Sequence, residues 1–197
     1  MDLEEYKNKA LQRINPLVEA SYEENKNYTC LGIIEETGEI TAEIRKPLFK
    51  GNFHERPLNI EKIKDELGDL MWYIAFACKK NNINMNELNI MILLEDSQKY
   101  TSRRERIIQL CIKMGQASGK IVEQYQSAYK NPIKCNDLKY ELSKQYQNIL
   151  LLCGELGISI DDVLEHNIEK VNSRYDENGK AVTNNLENRW KIVTSQP

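Results

Sequence analysis

The sequence predicts an all-α protein, built as an antiparallel helix bundle. Apolar residues recur at every third or fourth position through most of the chain, which is the period of a helix, and strand-like alternation is scarce. Only 9 glycines and 5 prolines interrupt the 197 residues, and they fall at long intervals. We therefore expect long helices joined by short loops.

Helix signals set the expected boundaries. The first helix ends before Pro16, the second stops at Lys46-Pro47, and the third begins at Asn59, a residue that can cap a helix N-terminus. Asn81-Asn82 ends the third helix, and residues 48–58 form a loop before it. The predicted helices span residues 3–14, 28–45, 59–80, 86–100, 103–130, 136–153 and 160–175.

Composition narrows the class of function. A net charge of −3 offers no basic surface for nucleic acid or an anionic membrane. No apolar run approaches the roughly 20 residues that span a bilayer, and the acidic N-terminus does not resemble a signal peptide. Five cysteines without zinc-binding spacing indicate reduced, mostly buried thiols. We expect a cytoplasmic protein that binds neither nucleic acid nor membrane.

The second half of the chain repeats the pattern of the first. A shift of 75 residues aligns the third predicted helix with the sixth without a gap, and a shift of 81 aligns the second with the fifth. We interpret this as an internal duplication, with copy one at residues 1–100, copy two at 101–183 and a polar tail at 184–197. Residues identical under the first shift are Lys64/Lys139, Glu66/Glu141, Leu67/Leu142, Ile74/Ile149, Cys78/Cys153, Ile83/Ile158 and Tyr100/Tyr175.

Two acidic clusters lie on neighbouring helices of copy one. Glu36 and Glu39 are three residues apart and share one helix face, and Glu66 and Asp69 have the same relation on the next helix. Antiparallel packing would bring the two pairs together. Carboxylates on apolar helix faces are costly to desolvate unless a cation lies between them, and an oxygen cage of this kind suits Mg²⁺, with Mn²⁺ as a possible substitute.

The alternative is that these carboxylates are solvated charges on outer faces. Gly38 and Gly68 each lie inside a cluster, where a missing side chain would let the helices approach closely. Apolar residues crowd the same turns and also favour a metal site: Leu31, Ile33, Ile34, Ile40, Leu67, Leu70 and Met71.

The paired clusters resemble the MazG-like all-alpha nucleoside triphosphate pyrophosphohydrolases. The family pattern E-E-x-x-E resembles residues 35–39, and E-x-x-D followed by aromatic residues resembles residues 66–73. The resemblance implies hydrolysis of a nucleoside triphosphate between its α- and β-phosphates, giving the monophosphate and pyrophosphate. It covers copy one well and copy two more loosely.

The two copies have lost complementary parts of that pattern. In copy two the four metal positions become Ala117, Lys120, Glu141 and Lys144, which cannot hold Mg²⁺ but can form ion pairs. Residues 167–175 of copy two instead resemble the family's N-x-x-K…R-Y helix. We therefore expect a composite site in which copy two supplies the phosphate-binding residues Asn167, Lys170, Arg174 and Tyr175.

Other residues near the clusters are weaker candidates. Glu35 points roughly 100° away from Glu36 on the helix, and it is a candidate for general base or for a second metal. Lys46 is a candidate for contacting the triphosphate, as are Lys50, His54 and Arg56 in the loop that follows. Of Trp72 and Tyr73, one is expected to pack in the core and the other is a candidate base contact.

Several functions remain open from the sequence. The first is an Mg²⁺-dependent nucleoside triphosphate pyrophosphohydrolase. One alternative is a dUTPase-like or phosphoribosyl-ATP pyrophosphohydrolase activity. Another is a non-catalytic helical module that binds metal or nucleotide. A duplicated chain could act as a monomeric pseudo-dimer or as a homodimer. No residue spacing identifies the base or the sugar.

Overall fold

The chain folds into helices throughout the part that the structure, a computed structural model, describes: residues 1–12, 14, 22–49, 57–89, 102–127 and 134–174. These residues contain no strand, which confirms the all-α class. The α-helices are α1 (Leu3–Ala10), α2 (Tyr22–Phe49), α3 (Ile60–Lys80), α4 (Arg103–Ser127), α5 (Cys135–Leu156) and α6 (Ile160–Asn172), with a short 3-10 helix at Met85–Asn89.

Helix α2 is longer than predicted because it does not stop at Pro47. The proline stands two residues before the end of the helix, so its missing N–H removes one hydrogen bond near the terminus. Arg104 of α4 holds this last turn. Its Nη2 donates to the Leu48 carbonyl at 3.2 Å, and its guanidinium carbon lies 5.2 Å from the centre of the Phe49 ring.

The remaining boundaries agree with the sequence to different degrees. The Asn59 side chain accepts a hydrogen bond from the Lys62 N–H at 3.2 Å and caps α3, as predicted. Helix α1 ends at Ala10, four residues early. The predicted helix at 86–100 is wrong at its start, where the 3-10 helix stands, and its remainder lies outside the described residues.

Helices α2 and α3 pack antiparallel, and this arrangement positions the acidic clusters. At one end Lys62 Nζ lies 3.0 Å from Glu43 Oε1, and at the other the Tyr73 ring lies against Gly32. Helix α2 also packs on α4, and α4 packs on α5. Helices α1 and α6 both contact α3 and each other. The acidic segment of α3 therefore lies between α2 and α6.

The close contacts at glycines differ from the prediction. A Cβ on Gly38 would meet no atom within 4 Å, whereas one on Gly32 would lie 2.1 Å from the Tyr73 ring. Gly32 is therefore the position that lets α2 approach α3. A Cβ on Gly68 would lie 3.0 Å from the Asn167 Cβ, so Gly68 admits α6 rather than α2.

The apolar residues around the clusters are mostly buried. Ile33, Ile40, Leu67, Leu70 and Met71 are all inaccessible to solvent, as the helical pattern of apolar residues predicts. Leu31 and Ile34 were expected to join them, but they are 66% and 49% exposed because they lie on the other face of α2.

The two halves of the bundle share details of backbone geometry. Asn82 and Gly157, related by the shift of 75 residues, both have positive φ, at 53° and 71°. After each, the next residue returns to the end of the preceding helix: Ile83 N–H donates to the Cys78 carbonyl, and Ile158 N–H to the Cys153 carbonyl, both at 2.9 Å. These equivalent helix ends support the duplication, which remains our proposal.

Four cysteines, Cys30, Cys78, Cys111 and Cys153, are free thiols. Cys78, Cys111 and Cys153 are buried and Cys30 is partly buried, and burial raises the pKa of the Cys78 thiol to about 12. Among the described residues, no helix is both long enough and apolar enough to cross a bilayer.

Candidate metal centre

The predicted carboxylates converge where α2 faces α3. One oxygen from each of Glu36, Glu39 and Glu66 lies within 4.8 Å of the other two. In a second set, one oxygen from each of Asp65, Glu66 and Asp69 also lies within 4.8 Å of the other two, so Glu66 belongs to both sets. Glu66 is buried and Glu39 is exposed, so the clusters extend from the helix interface to solvent. All four predicted metal ligands therefore lie in two carboxylate sets that share Glu66.

Burial and the crowding of like charges raise the pKa values of two carboxyl groups in the first set. Burial, reinforced by the charges of Asp69, Glu66 and Glu39, raises the pKa of Glu36 to about 8. Burial and a hydrogen bond with Glu39 raise the pKa of Glu66 to about 7. Among the described residues, no lysine or arginine pairs with Glu36, Glu39 or Glu66. Within the described part of the chain these three carboxylates therefore have no directly paired positive charge, which a divalent cation would supply.

The donor set fits a hard divalent cation. Carboxylate oxygens from two helices, with no sulfur or imidazole among them, are the ligands that Mg²⁺ and Mn²⁺ prefer. Glu36, Glu39, Glu66 and Asp69 would hold such an ion.

Helix α6 contacts the outer carboxylates of α3. Lys170 Nζ lies 2.8 Å from Asp65 Oδ1 and 2.6 Å from Asp69 Oδ2. His166 Nε2 lies 3.2 Å from Asp65 Oδ1. Burial raises the pKa of Asp65, but the bonds to Lys170 and His166 outweigh burial and lower it overall. The second carboxylate set is thus partly neutralised, unlike the first.

Asn167 and Lys170 lie close to Asp69, a candidate metal ligand about a hundred residues away in sequence. Asn167 Nδ2 donates to Asp69 Oδ1 at 3.1 Å, so Asn167 and Lys170 each hold one oxygen of Asp69. In this structure Lys170 contacts carboxylates, and its binding of phosphate remains a prediction. Arg174 is exposed, and Tyr175 lies outside the described residues.

The other candidates have different surroundings. Lys46 Nζ lies 2.8 Å from Glu43 Oε1 on its own helix. Trp72 Nε1 donates to the Ala10 carbonyl at 3.2 Å, and its ring stacks on Phe76 with centroids 5.5 Å apart, so Trp72 packs α3 against α1. Glu35 is exposed and adds its charge to those that raise the pKa of Glu36. The loop candidates Lys50, His54 and Arg56 lie outside the described residues.

Sequence reasoning missed three residues of this site: Asp65, His166 and Tyr6. Asp65 and Asp69 are four residues apart on one helix face, so their spacing carried a usable signal. His166 and Lys170 have the same spacing on α6 and meet the same aspartate. The Tyr6 hydroxyl donates to Asn167 Oδ1 at 2.8 Å, and this contact had no such signal, because only the fold brings α1 against α6.

The corresponding positions of copy two hold a different set of groups. Lys144 Nζ lies 3.3 Å from Glu141 Oε2, as predicted, but Lys120 pairs with Glu123 on its own exposed helix face at 2.7 Å. Within the described residues, the Glu141–Lys144 ion pair includes no hydrogen bond to the buried Glu141 Oε2, and the buried Gln145 Oε1 also accepts none. One carboxylate beside a lysine is not a cage for a divalent cation.

The fold is an all-α bundle, and carboxylates from two of its antiparallel helices converge. This arrangement is typical of helical proteins that can hold a divalent cation. Residues 24–107 match the family model of the MazG nucleotide pyrophosphohydrolase domain. The family typically uses divalent metals. The matched segment contains α2 and α3 with both carboxylate sets, and α6 lies beyond it. Comparisons with curated proteins and with solved structures gave no significant match.

Proposed function

We propose that this protein is an Mg²⁺-dependent hydrolase of nucleoside triphosphates that cleaves between the α- and β-phosphates, releasing the monophosphate and pyrophosphate. The observation that carries the proposal is the pair of carboxylate sets sharing Glu66 inside the MazG domain. When bound, Mg²⁺ would neutralise phosphate oxygens and favour attack by water. The chain supplies the cage for it.

Each residue of the site has a role that follows from its position. Glu36, Glu39, Glu66 and Asp69 hold the cation, and their mutual repulsion in its absence supports this assignment. Glu35 is exposed beside Glu36 and is our candidate for the base that takes the proton of the attacking water. Lys170, 2.6 Å from Asp69, is close enough to the cage to contact a phosphate oxygen that binds there.

Product analysis tests the reaction. The protein is incubated with Mg²⁺ and a panel of NTPs, dNTPs, dUTP and phosphoribosyl-ATP in water enriched in ¹⁸O, and products are separated by mass. The proposal expects pyrophosphate and a monophosphate carrying the label, because water attacks the α-phosphorus. A labelled orthophosphate with a diphosphate would overturn it.

Two matched variants show whether the cage performs the reaction. Asp69→Asn keeps the size of the side chain but removes the charge and replaces one acceptor oxygen with an amide donor, and it is expected to abolish activity. Lys144→Ala alters the equivalent position of copy two and is expected to change kcat/KM by less than about twofold. Nucleotide binding without turnover of any substrate would favour the non-catalytic alternative over the enzyme.

A further inference from the structure

A buried chain of hydrogen bonds connects the N-terminal helix to the carboxylate cage. The Tyr6 hydroxyl donates to Asn167 Oδ1 at 2.8 Å, and Asn167 Nδ2 donates to Asp69 Oδ1 at 3.1 Å. Tyr6 and Asn167 are both inaccessible to solvent. The three residues come from α1, α6 and α3, so the chain joins the two ends of the sequence to the middle.

In this series of hydrogen bonds, each donor group points toward Asp69. A carboxylate oxygen can only accept, so the amide of Asn167 must turn its Nδ2 toward Asp69 and its Oδ1 away from it. That Oδ1 is then buried and needs a donor, which the Tyr6 hydroxyl provides. Successive hydrogen bonds of this kind polarise one another, so the Tyr6 hydroxyl strengthens the bond that Asn167 makes to Asp69.

The packing leaves Asn167 no other position. A Cβ on Gly68 would lie 3.0 Å from the Asn167 Cβ and 3.3 Å from its Nδ2, so α6 lies directly on α3 at this point. The remaining oxygen of Asp69, Oδ2, is held by Lys170 at 2.6 Å. Each Asp69 oxygen thus keeps a lone pair for a cation, while the carboxylate as a whole is fixed in orientation.

We propose that Tyr6 is a positioning residue for the metal cage: through Asn167 it fixes the Asp69 carboxylate in the orientation that binds a divalent cation. The proposal rests on the assignment of Asp69 as a metal ligand under the proposed function. Groups that orient metal ligands in this way typically change metal affinity by about 10- to 100-fold when removed. Helix α1, which lies outside the matched family segment, is then part of the functional site.

The test measures Mn²⁺ affinity by electron paramagnetic resonance of the free ion, without nucleotide. Tyr6→Phe removes one hydroxyl and is expected to weaken Mn²⁺ binding at least about tenfold. Tyr125→Phe is the matched control. Its side chain is also buried and its hydroxyl accepts from Asn81 Nδ2 at 2.9 Å, but it lies away from the cage, so affinity is expected to stay within about twofold.

A double-mutant cycle tests the route through Asn167. Asn167→Ala alone is expected to weaken Mn²⁺ binding to a similar extent, and adding Tyr6→Phe to it is expected to have no further effect. Unchanged affinity in Tyr6→Phe, or an equal loss with and without Asn167, overturns the proposal. If Tyr6→Phe does not fold, Asn167→Ala with full Mn²⁺ affinity overturns it as well.

The Mn²⁺ affinity of the natural protein, compared with that of its variants, distinguishes failure of this proposal from failure of the proposed function. If the natural protein binds no Mn²⁺, or if Asp69→Asn binds Mn²⁺ as tightly as the natural protein does, the assignment of the metal cage is wrong. The role of Tyr6 then fails with it. If the natural protein binds Mn²⁺ through Asp69 and Tyr6→Phe binds equally well, only the role of Tyr6 is wrong.

Discussion

Thr37 Oγ1 and Ser118 Oγ lie 2.9 Å apart in the buried contact between α2 and α4. The two residues are equivalent under the shift of 81 residues that relates the halves of the chain in the proposed duplication. Gln145 Nε2 donates to both oxygens at 3.2 Å. Two equivalent residues can meet in this way only near the axis that relates the two copies, so this pair marks the centre of the proposed pseudo-dimer.

Exchanging these hydroxyl residues tests their equivalence. Thr37→Val removes one buried hydroxyl and is expected to lower the free energy of unfolding by about 1–3 kcal/mol. The double variant Thr37→Ser with Ser118→Thr keeps both hydroxyls and the number of methyl groups, and it is expected to cost under about 1 kcal/mol. Urea unfolding measures both. A double variant as unstable as Thr37→Val would contradict equivalent surroundings.

Two glycines of α2 predict opposite responses to alanine. Gly32→Ala places a methyl group against the Tyr73 ring, which must move, and a loss of about 1–3 kcal/mol in unfolding free energy is expected. Gly38→Ala meets open space and removes a poor helix former, so a gain of up to about 1 kcal/mol is expected. Thermal unfolding of the two variants at one pH compares them directly. Equal effects would show that the α2–α3 contact is not as close as described.

Stability without metal is expected to fall as pH rises from about 5 to about 8.5. Glu36 and Glu66 have raised pKa values, about 8 and about 7, so the folded protein binds their protons more tightly than the unfolded chain does. Their contribution is complete below the ordinary carboxyl pKa and is lost as pH passes the raised values. Mg²⁺ should therefore stabilise the protein more at pH 8.5 than at pH 5.5.

Urea unfolding across this pH range, with chelator and then with Mg²⁺, provides the measurement. Glu36→Gln serves as the control because it cannot titrate, and its stability without metal should depend less on pH. Parallel pH profiles for the natural protein and Glu36→Gln would contradict the assignment. The lowered pKa of Asp65 acts only in more acidic solution, outside this window.

We expect substitution by alanine to have different kinetic effects at Lys170 and at Lys144. Lys170→Ala removes the cation between Asp65 and Asp69 and, under the proposed function, a phosphate contact, so kcat/KM is expected to fall at least about tenfold. Lys144→Ala removes a lysine that lies 3.3 Å from Glu141 in copy two. Steady-state kinetics with the preferred nucleotide compare them. Normal kinetics in Lys170→Ala would remove α6 from the composite site.

Helical periodicity predicted most of the fold, because the amphipathic helices keep their period wherever packing holds them. It failed at Pro47, where a distant arginine holds the last turn, and at residues 85–89, where the α-helix does not form. The pairing of the candidate carboxylates was predictable because residues three apart share a helix face whatever the tertiary fold. The partners of Gly32, Gly68 and Tyr6 were not, because they depend on which helices become neighbours.

The opposite charges of Asp69 and Lys144 have an evolutionary consequence under the proposed duplication. In a symmetric dimer every substitution appears twice, so a lysine at this position would destroy both cages at once. In a single chain with two copies, each position mutates independently. Selection can then hold Asp69 fixed while Lys144 drifts, and the relaxed half becomes free to specialise in substrate contact.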